Sequence, residues 1–230
     1  MDCGNLTQKR ITIFSGHYGS GKTNIAVNCA LNLAKKFGKA SVVDLDIVNP
    51  YFRTEDARSV LEKANVRLIA SEYANTNVDT PALPAEAYSV FEINNSPAVI
   101  DVGGDDRGAL ALGRYVDIIK KENNYDMLFV INKCRYFTSD AKSTVEIMRE
   151  IESAANLRFT AVVNNTNLGE ETTHELVKEG IKYANEVCEL ANLPLRATCA
   201  ERRLCALLDK EADNLYPIDL YVRQSWLKSN

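Results

Sequence analysis

Short apolar runs alternate with longer amphipathic runs along most of the chain. Seven of the short runs are rich in β-formers: RITIFSG, ASVVDLD, NVRLIA, PAVIDVG, DMLFVIN, RFTAVVNN and LPLRATC. They are apolar nearly throughout, which is typical of strands covered on both faces of a parallel sheet. The pattern predicts an α/β fold: a mainly parallel sheet of about seven strands with helices on both faces and right-handed crossovers.

Three of the longer runs have the spacing of amphipathic helices. They are KTNIAVNCALNLAKKFG, SDAKSTVEIMREIESAAN and ETTHELVKEGIKYANEVCELAN. In the first, Ile25, Cys29 and Leu33 share one face, and Gly38 is a typical helix stop. The second begins with Ser and Asp, which favour the N-cap position. The sequence therefore alternates strand and helix, as a three-layer α/β/α fold requires.

Length and composition are those of one ordinary globular domain. We interpret the 230 residues, 46% hydrophobic and 25% charged, as a single domain spanning 1–230. The net charge is −4, and the basic residues are scattered along the chain. A nucleic-acid-binding protein normally carries a basic stripe, so we expect no nucleic-acid partner.

Cysteine spacing and hydropathy indicate a cytoplasmic protein. None of the six Cys forms a C-x-x-C pair, so we expect reduced thiols rather than a disulfide or metal site. The first residues lack the apolar core of a signal peptide, and no run approaches the ~18 apolar residues of a membrane span. The tail LYPIDLYVRQSWLKSN has few basic residues, which argues against a membrane anchor.

One segment interrupts the alternation. EYANTNVDTPALPAE, residues 72–86, contains two Pro and many small polar residues. We interpret it as a surface loop, either an inert connection or a loop that faces a substrate or partner.

The segment GHYGSGKT has the form G-x-x-x-x-G-K-T, and it lies between a strand and a helix. The glycines allow the backbone to curl so that successive N–H groups point at one anion. Lys22 would neutralise the β- and γ-phosphates, and Thr23 would offer its hydroxyl to Mg²⁺. The predicted phosphate site comprises Gly16, His17, Tyr18, Gly19, Ser20, Gly21, Lys22, Thr23 and Asn24. A dinucleotide site of G-x-G-x-x-G type is excluded, because Asn24 stands where the third Gly belongs.

Two further strands end in carboxylates. Asp101 ends the strand PAVID and is followed by Gly103 and Gly104. It is a candidate Mg²⁺ ligand, and Gly104 could bring a backbone N–H to a γ-phosphate. Asp44 and Asp46 follow the strand SVV with alternate spacing, so one could support the metal while the other orients the attacking water.

Together these segments resemble the MinD/ParA class of P-loop ATPases. GHYGSGKT, VVDLDIVNP, VIDVGGDD and AVVNNTNLG occur in the order found in that family. The resemblance implies the three-layer P-loop NTPase fold, ATP and Mg²⁺ as ligands, and a homodimer that forms in one nucleotide state. It also implies that Asp46 positions the hydrolytic water and that Asp44 supports the metal shell.

The same resemblance implies an adenine pocket. Asn164, with Asn165 beside it, would read the base, and Ala200 and Glu201, in the segment ATCAERRL after the last strand, would lie at its edge. A turn role for the two Asn is the alternative. The segment INKCRYFT lacks the Asp of the N-K-x-D motif, so it does not support guanine specificity. The switch-like segment DVGGDDRGALAL contains no Cys, which argues against an iron–sulfur cluster.

His17 departs from the family pattern, which has a signature Lys after the first Gly. The missing cation could come from His17 itself when protonated, from Arg53 or Arg107, or from no residue. The aromatic and Arg residues at 51–53 and 135–137 could form a contact that changes with nucleotide state, or could simply pack. A nonhydrolysing nucleotide-bound module also remains open.

The sequence thus predicts a cytoplasmic, Mg²⁺-dependent ATPase that acts as a nucleotide switch on an unidentified protein partner. One alternative is an ATP-dependent small-molecule kinase or ligase resembling dethiobiotin synthetase. Another is a metal-cluster insertion ATPase, for which no Cys- or His-rich tract is present.

Overall fold

The computed structural model of the protein describes residues 6–46, 54–70, 85–92, 96–208, 212 and 214–222. Arg53, the aromatic residues before it and nearly all of the interrupting loop at 72–86 lie outside the described residues. So does Cys3.

The centre of the molecule is an eight-stranded sheet in which every neighbouring pair is parallel. Its spatial order is β3-β2-β4-β1-β5-β6-β7-β8. The strands are β1 Ile11–Ser15, β2 Ala40–Leu45, β3 Val66–Ile69, β4 Ala98–Val102, β5 Tyr125–Ile131, β6 Ala161–Asn164, β7 Leu195–Glu201 and β8 Leu215–Ile218. All seven predicted strands are confirmed.

The eighth strand corrects the predicted number of about seven. β8 has only four residues and contains Pro217, which cannot donate a ladder hydrogen bond. It lies at the sheet edge beside β7, where Pro217 is opposite Ala200, and an edge strand tolerates a Pro. Because β8 is short and contains a Pro, its sequence does not show the apolar pattern that predicts a strand.

Eight α-helices are described. They are α1 Lys22–Phe37, α2 Arg58–Lys63, α3 Ser89–Glu92, α4 Asp106–Gly113, α5 Val116–Glu122, α6 Ala141–Ala155, α7 His174–Ala191 and α8 Arg202–Leu208. The three predicted helices are confirmed as α1, α6 and α7. Asp140 caps the start of α6 by accepting a hydrogen bond from the Ser143 N–H at 2.9 Å, and Gly38 ends α1 in the left-handed conformation.

Two apolar cores lie on opposite faces of the sheet. β1 shows the division: Ile13 enters the core shared with α4–α7, whereas Phe14 enters the core beneath α1 and α2. Both side chains are fully buried. Strands buried on both faces must be apolar throughout, which explains the runs that predicted them. The result is a three-layer α/β/α fold, as expected.

Within the part of the chain that the structure describes, no helix is both long enough and apolar enough to cross a membrane.

Candidate functional site

The candidate site lies at the carboxyl edge of the sheet. β1 is flanked by β4 and β5, so the loop that follows it lies at the middle of that edge. β2 lies next to β4, and Asp44 is in register with Asp101. In open parallel sheets, ligands bind in the crevice outside the carboxyl ends of the strands. The fold thus brings the phosphate-loop motif and both carboxylate segments to one place.

The loop at 16–21, which we call the phosphate loop, has the curled backbone that its glycines predict. Gly16, Gly19 and Gly21 have φ of 150°, 76° and 85°, values that L side chains rarely adopt. A Cβ on Gly16 would lie 2.3 Å from the Val130 carbonyl oxygen. Gly21 is the N-cap of α1, so the positive end of a 16-residue helix faces the loop. The geometry is that of an anion-binding loop.

Lys22 is a buried cation at the centre of the site. Lys22 is only 6% exposed. Its Nζ donates a hydrogen bond to the His17 carbonyl oxygen across the loop, at 3.3 Å. Burial lowers the pKa of the Lys22 ammonium, and the carboxylates of Asp101, Asp46 and Asp105 act in the opposite direction. An ammonium bound to a backbone carbonyl and surrounded by acids can transfer its hydrogen bonds to an incoming phosphate.

Asp101 fits the role of a magnesium ligand. It is 1% exposed, and its Oδ1 has no hydrogen-bond partner among the described residues. Its Oδ2 accepts from the Thr54 hydroxyl at 3.4 Å. Burial raises the pKa of the Asp101 carboxyl to about 6, opposed by the Lys22 ammonium and by the Thr23 hydroxyl bonded to it. A buried carboxylate oxygen without a partner, beside a hydroxyl, is a suitable pair of ligands for Mg²⁺.

Asp44 is the fifth residue of β2, which corrects the expectation that it follows the strand, and Asp46 comes directly after the strand ends. Asp44 is buried and accepts the Asp46 N–H at 2.9 Å, whereas Asp46 is half-buried. A Cβ on Gly103 would lie 3.2 Å from the Asp46 Oδ1, so Asp46 reaches the loop after β4. The described residues contain no group of three or more His, Cys, Asp or Glu able to hold a metal by themselves. A magnesium ion here would need phosphate oxygens and water to complete its shell.

Asp105 is a fourth carboxylate at the site, to which the sequence pattern assigned no role. Asp105 is the N-cap of α4 and accepts the Gly108 N–H at 2.9 Å. Its charge also acts on Lys22. The capping pattern of an Asp before a helix could have revealed its structural role, but its proximity to Lys22 depends on how the loop folds back.

The loop after β4 packs directly against the phosphate loop. A Cβ on Gly104 would lie 2.5 Å from the Tyr18 backbone nitrogen, and one on Gly108 would lie 2.6 Å from the Gly103 Cα. A side chain at Gly104 would therefore separate the two loops, and one at Gly108 would push α4 away from the loop after β4. The contact at Gly104 places that residue beside the phosphate loop.

Not every residue of the phosphate-loop motif faces the anion site. His17 Nδ1 lies 3.0 Å from the Tyr18 carbonyl oxygen, and the His17 ring packs against Phe137 with centroids 5.3 Å apart. The Ser20 hydroxyl is buried and has no partner among the described residues. Asn24 instead binds the chain after β8: its Oδ1 accepts the Val222 N–H at 2.9 Å. Asn24 thus anchors the end of the described chain.

The two Asn residues at the end of β6 are engaged within the protein. The Asn164 Oδ1 accepts the Thr166 hydroxyl at 2.8 Å, and its Nδ2 lies 3.5 Å from the Thr198 hydroxyl. Asn165 donates from Nδ2 to the Ser20 carbonyl oxygen at 2.7 Å. Asn164 therefore stabilises the strand end, and Asn165 contacts the phosphate loop.

A small open cavity lies beside these Asn residues, between the ends of β6 and β7. Asn165, Asn167, Ala200 and Glu201 are among the residues that line it. Ala200 and Glu201 are the last two residues of β7 rather than part of a following segment, which corrects their expected placement. The Glu201 carboxylate accepts from Arg203 Nε at 2.7 Å. The structure thus brings three of the four expected base-pocket residues to one cavity.

Arg107 and Arg135 differ in their relation to the loop. Arg107 is exposed in the first turn of α4. Arg135, which the sequence analysis considered only for packing and nucleotide-dependent contacts, donates from Nε to the Gly19 carbonyl oxygen at 2.8 Å.

No family model matches the chain, and neither does any curated protein. Solved structures do share its fold. The Signal Recognition Particle 54 kDa protein of Aeropyrum pernix K1 in complex with GDP matches with a TM-score of 0.50 and 15% identity, over 82% of this chain and 40% of that one. Cell division protein FtsY of Thermotoga maritima matches with a TM-score of 0.50 and 19% identity, over 85% of this chain and 64% of that one.

FtsY from Mycoplasma mycoides matches with a TM-score of 0.49 and 19% identity, over 82% of this chain and 59% of that one. The chain thus spans less than two thirds of the length of each of these proteins. At such low identity the likeness concerns the fold alone. It agrees with the loop and sheet described above: the chain has the three-layer α/β/α fold of P-loop NTPases.

Proposed function

We propose that the protein is a Mg²⁺-dependent ATP-binding protein and ATPase of the MinD/ParA type that acts as a nucleotide-dependent switch. The observation that carries the proposal is the environment of Lys22. Its buried ammonium lies in a curled glycine loop at a helix N-terminus, surrounded by Asp46, Asp101 and Asp105. A phosphate anion bound in this loop would give the buried cation a full counter-charge.

Each residue near the loop has a proposed task. Lys22 neutralises the phosphates, Thr23 and Asp101 hold Mg²⁺ with support from Asp44, and Asp46 orients the attacking water. When bound, the metal neutralises charge that develops on the phosphate oxygens. The support is the unpartnered Asp101 Oδ1 and the position of Asp46 between Lys22 and Gly103.

The proposed switch is the loop after β4 with helix α4. Gly104 lies against the Tyr18 backbone, so a phosphate that displaces the phosphate loop must also displace the start of α4. In P-loop switches, the γ-phosphate orders such segments and hydrolysis releases them. We propose that α4 reports the nucleotide state to a protein partner or to a second copy of the chain, in the cytoplasm.

We propose adenine as the base, held in the cavity lined by Asn165, Asn167, Ala200 and Glu201. Asn164 is buried and bonded to Thr166, so it would support the cavity wall and not touch the base. A competition experiment between ATP and GTP tests this choice directly.

Isothermal titration calorimetry with ATP and Mg²⁺ tests the proposed function. We expect wild-type protein to bind ATP and Lys22→Ala to lose measurable binding. Lys35→Ala is the matched control, because Lys35 is an exposed lysine in the last turn of the same helix. Equal affinity of wild type and Lys22→Ala would contradict the site. A small molecule that became phosphorylated as ADP formed would instead favour the kinase or ligase function.

A further inference from the structure

Two successive carbonyl groups on the outside of the phosphate loop are bound by side chains from neighbouring strand ends. Arg135, which follows β5, donates from Nε to the Gly19 oxygen at 2.8 Å. Asn165, which follows β6, donates from Nδ2 to the Ser20 oxygen at 2.7 Å. Fixing a peptide carbonyl on one side of a loop also fixes the direction of the N–H in the same peptide plane. These bonds therefore constrain which way the loop presents its donors.

The guanidinium of Arg135 lies directly against the loop backbone. A Cβ on Gly19 would lie 3.1 Å from the Arg135 Nε and 3.4 Å from its Cζ. Gly19 also has φ of 76°, so both its conformation and the closeness of Arg135 favour Gly at this position. The two terminal nitrogens of Arg135 have no hydrogen-bond partner among the described residues, which leaves their donors available.

The segment that carries Arg135 is itself held in place. The Arg135 N–H donates to the Asn132 carbonyl oxygen at 3.1 Å, and the Thr138 hydroxyl donates to the same oxygen at 2.8 Å. Two residues further on, the Phe137 ring packs against His17 of the phosphate loop. The segment therefore contacts the loop at two points, and Arg135 is not a freely moving surface side chain.

We propose that Arg135 is a positioning residue of the phosphate loop that also adds positive charge beside the anion site. It binds the Gly19 carbonyl, keeps the loop open toward the anion and raises the electrostatic potential there. A charge-assisted hydrogen bond holds a carbonyl more strongly than a neutral one does. This inference rests on the proposed nucleotide-binding function, but it concerns a residue outside the G-x-x-x-x-G-K-T motif.

The test compares Arg135→Lys, Arg135→Gln and wild type by calorimetry with ATP and Mg²⁺ at low and at physiological salt. Arg135→Gln should weaken ATP binding about 10-fold, the usual scale for loss of a charge-assisted hydrogen bond. Arg135→Lys keeps the charge and should recover part of that loss. The wild-type advantage over Arg135→Gln should shrink as salt rises, because the Arg135 side chain is exposed to solvent and salt screens its charge.

Hydrogen exchange of the nucleotide-free proteins gives a second readout. Amides 16–24 should exchange faster in Arg135→Gln than in wild type, whereas the temperature of unfolding should change little. Arg67→Gln is the matched control, since Arg67 is an exposed arginine on β3 that pairs with Glu86 and should leave both readouts unchanged.

The possible outcomes distinguish failure of the Arg135 proposal from failure of the proposed nucleotide-binding function. If wild type does not bind ATP, the proposed function fails. If wild type binds ATP and Arg135→Gln binds equally well, Arg135 has no positioning role. Equal losses in Arg135→Gln and Arg135→Lys at every salt concentration would overturn the contribution of charge.

Discussion

At the scale of single residues, the site concentrates charge in a place that water hardly reaches. Lys22 and Asp101 are 6% and 1% exposed, and each is shifted toward its neutral form by burial. Buried charges cost stability unless they are fully paired. Asp101 still has an unpartnered oxygen among the described residues. Such a group is explained most simply by a ligand that the site is built to receive.

Asp101 gives a pH-dependent prediction for the protein without nucleotide or magnesium. Its folded-state pKa of about 6 lies above the ordinary value of 3.8, so the folded state binds more protons than the unfolded state between these values. Its protonation therefore favours folding, and that contribution is lost as pH rises through about 6. We expect Asp101→Asn to exceed wild type in free energy of unfolding by about 1 to 3 kcal/mol at pH 8.

The same calculation gives about half of that gain at pH 5, because wild type is then mostly protonated at Asp101. Urea denaturation in EDTA at several pH values measures the difference. A gain that is constant from pH 5 to pH 8 would show that Asp101 does not titrate in this range. The Asn variant should also lose Mg²⁺-dependent nucleotide binding, since it has exchanged a carboxylate ligand for an amide.

At the scale of elements, helix α1 has a glycine in the left-handed conformation at each end, but the two glycines have different surroundings. Gly21 has φ of 85° at the N-cap, and Gly38 has φ of 80° at the C-cap. A Cβ on Gly38 would meet nothing within 4 Å, whereas one on Gly21 would lie 2.2 Å from the Asn165 Nδ2. The backbone strain of a substitution is therefore similar at the two ends, and only the space differs.

Comparing substitutions of Gly21 and Gly38 separates the effect of backbone strain from the effect of the Asn165 contact at the site. Gly38→Ala should cost about 1 to 2 kcal/mol, the strain of an L-residue in the left-handed region, and should leave ATP affinity unchanged. Gly21→Ala should cost about 2 to 4 kcal/mol, because Asn165 must also withdraw from Ser20, and it should weaken ATP binding. Thermal unfolding and calorimetry measure both. Equal effects of the two variants would mean that the Asn165 contact does not matter.

The sequence predicted correctly those helices and strands whose structure follows from a local pattern of apolar and polar residues. The strands β1, β4 and β5 are fully buried or nearly so, and α1 has a regular apolar face and a Gly stop, so each is recognisable locally. The phosphate loop was predictable for the same reason: its glycines, Lys and Thr are contiguous. β8 was missed because four residues with a Pro do not resemble a strand.

Contacts between distant segments were beyond the sequence pattern. Arg135 reaches Gly19 across 116 positions, and nothing in INKCRYFT indicates that partner. The predicted roles of Asn164 and Asn165 depended on which way each amide points. The backbone at the end of β6 decides that orientation, and it turns Asn164 toward Thr166 and Asn165 toward Ser20. A local sequence pattern shows which residue types are present, but the strand order of the sheet determines which distant residues they contact.

At the scale of the whole molecule, the rim of the site carries exposed aromatic side chains. Tyr18 in the phosphate loop and Tyr136 and Phe137 after β5 are exposed by 51%, 87% and 59%. Leu110 of α4 is also exposed, by 61%. Aromatic groups on a surface next to the proposed nucleotide switch are suited to a contact with another protein.

The proposed MinD/ParA-type function predicts that this contact forms between two copies in one nucleotide state. We expect light scattering on a sizing column to give a dimer mass with Mg²⁺ and a nonhydrolysable ATP analogue, and a monomer mass with Mg²⁺ and ADP. Tyr136→Ser should reduce dimer formation without altering the monomer's unfolding temperature, because the ring is almost entirely exposed. The same mass in both nucleotide states would contradict the dimer switch and direct attention to a separate partner.

The sheet order also determines when the site can form during synthesis. β1 is made first but pairs only with β4 and β5, and the Ile11 partner Ala98 lies 87 positions later in the chain. At about 5 to 20 residues per second, a ribosome needs roughly 4 to 17 s to make that intervening stretch. Throughout this interval the apolar β1 and the glycine loop after it have no neighbouring strand. Among the described strands, the one that leads into the site is therefore the one that waits longest for its neighbours.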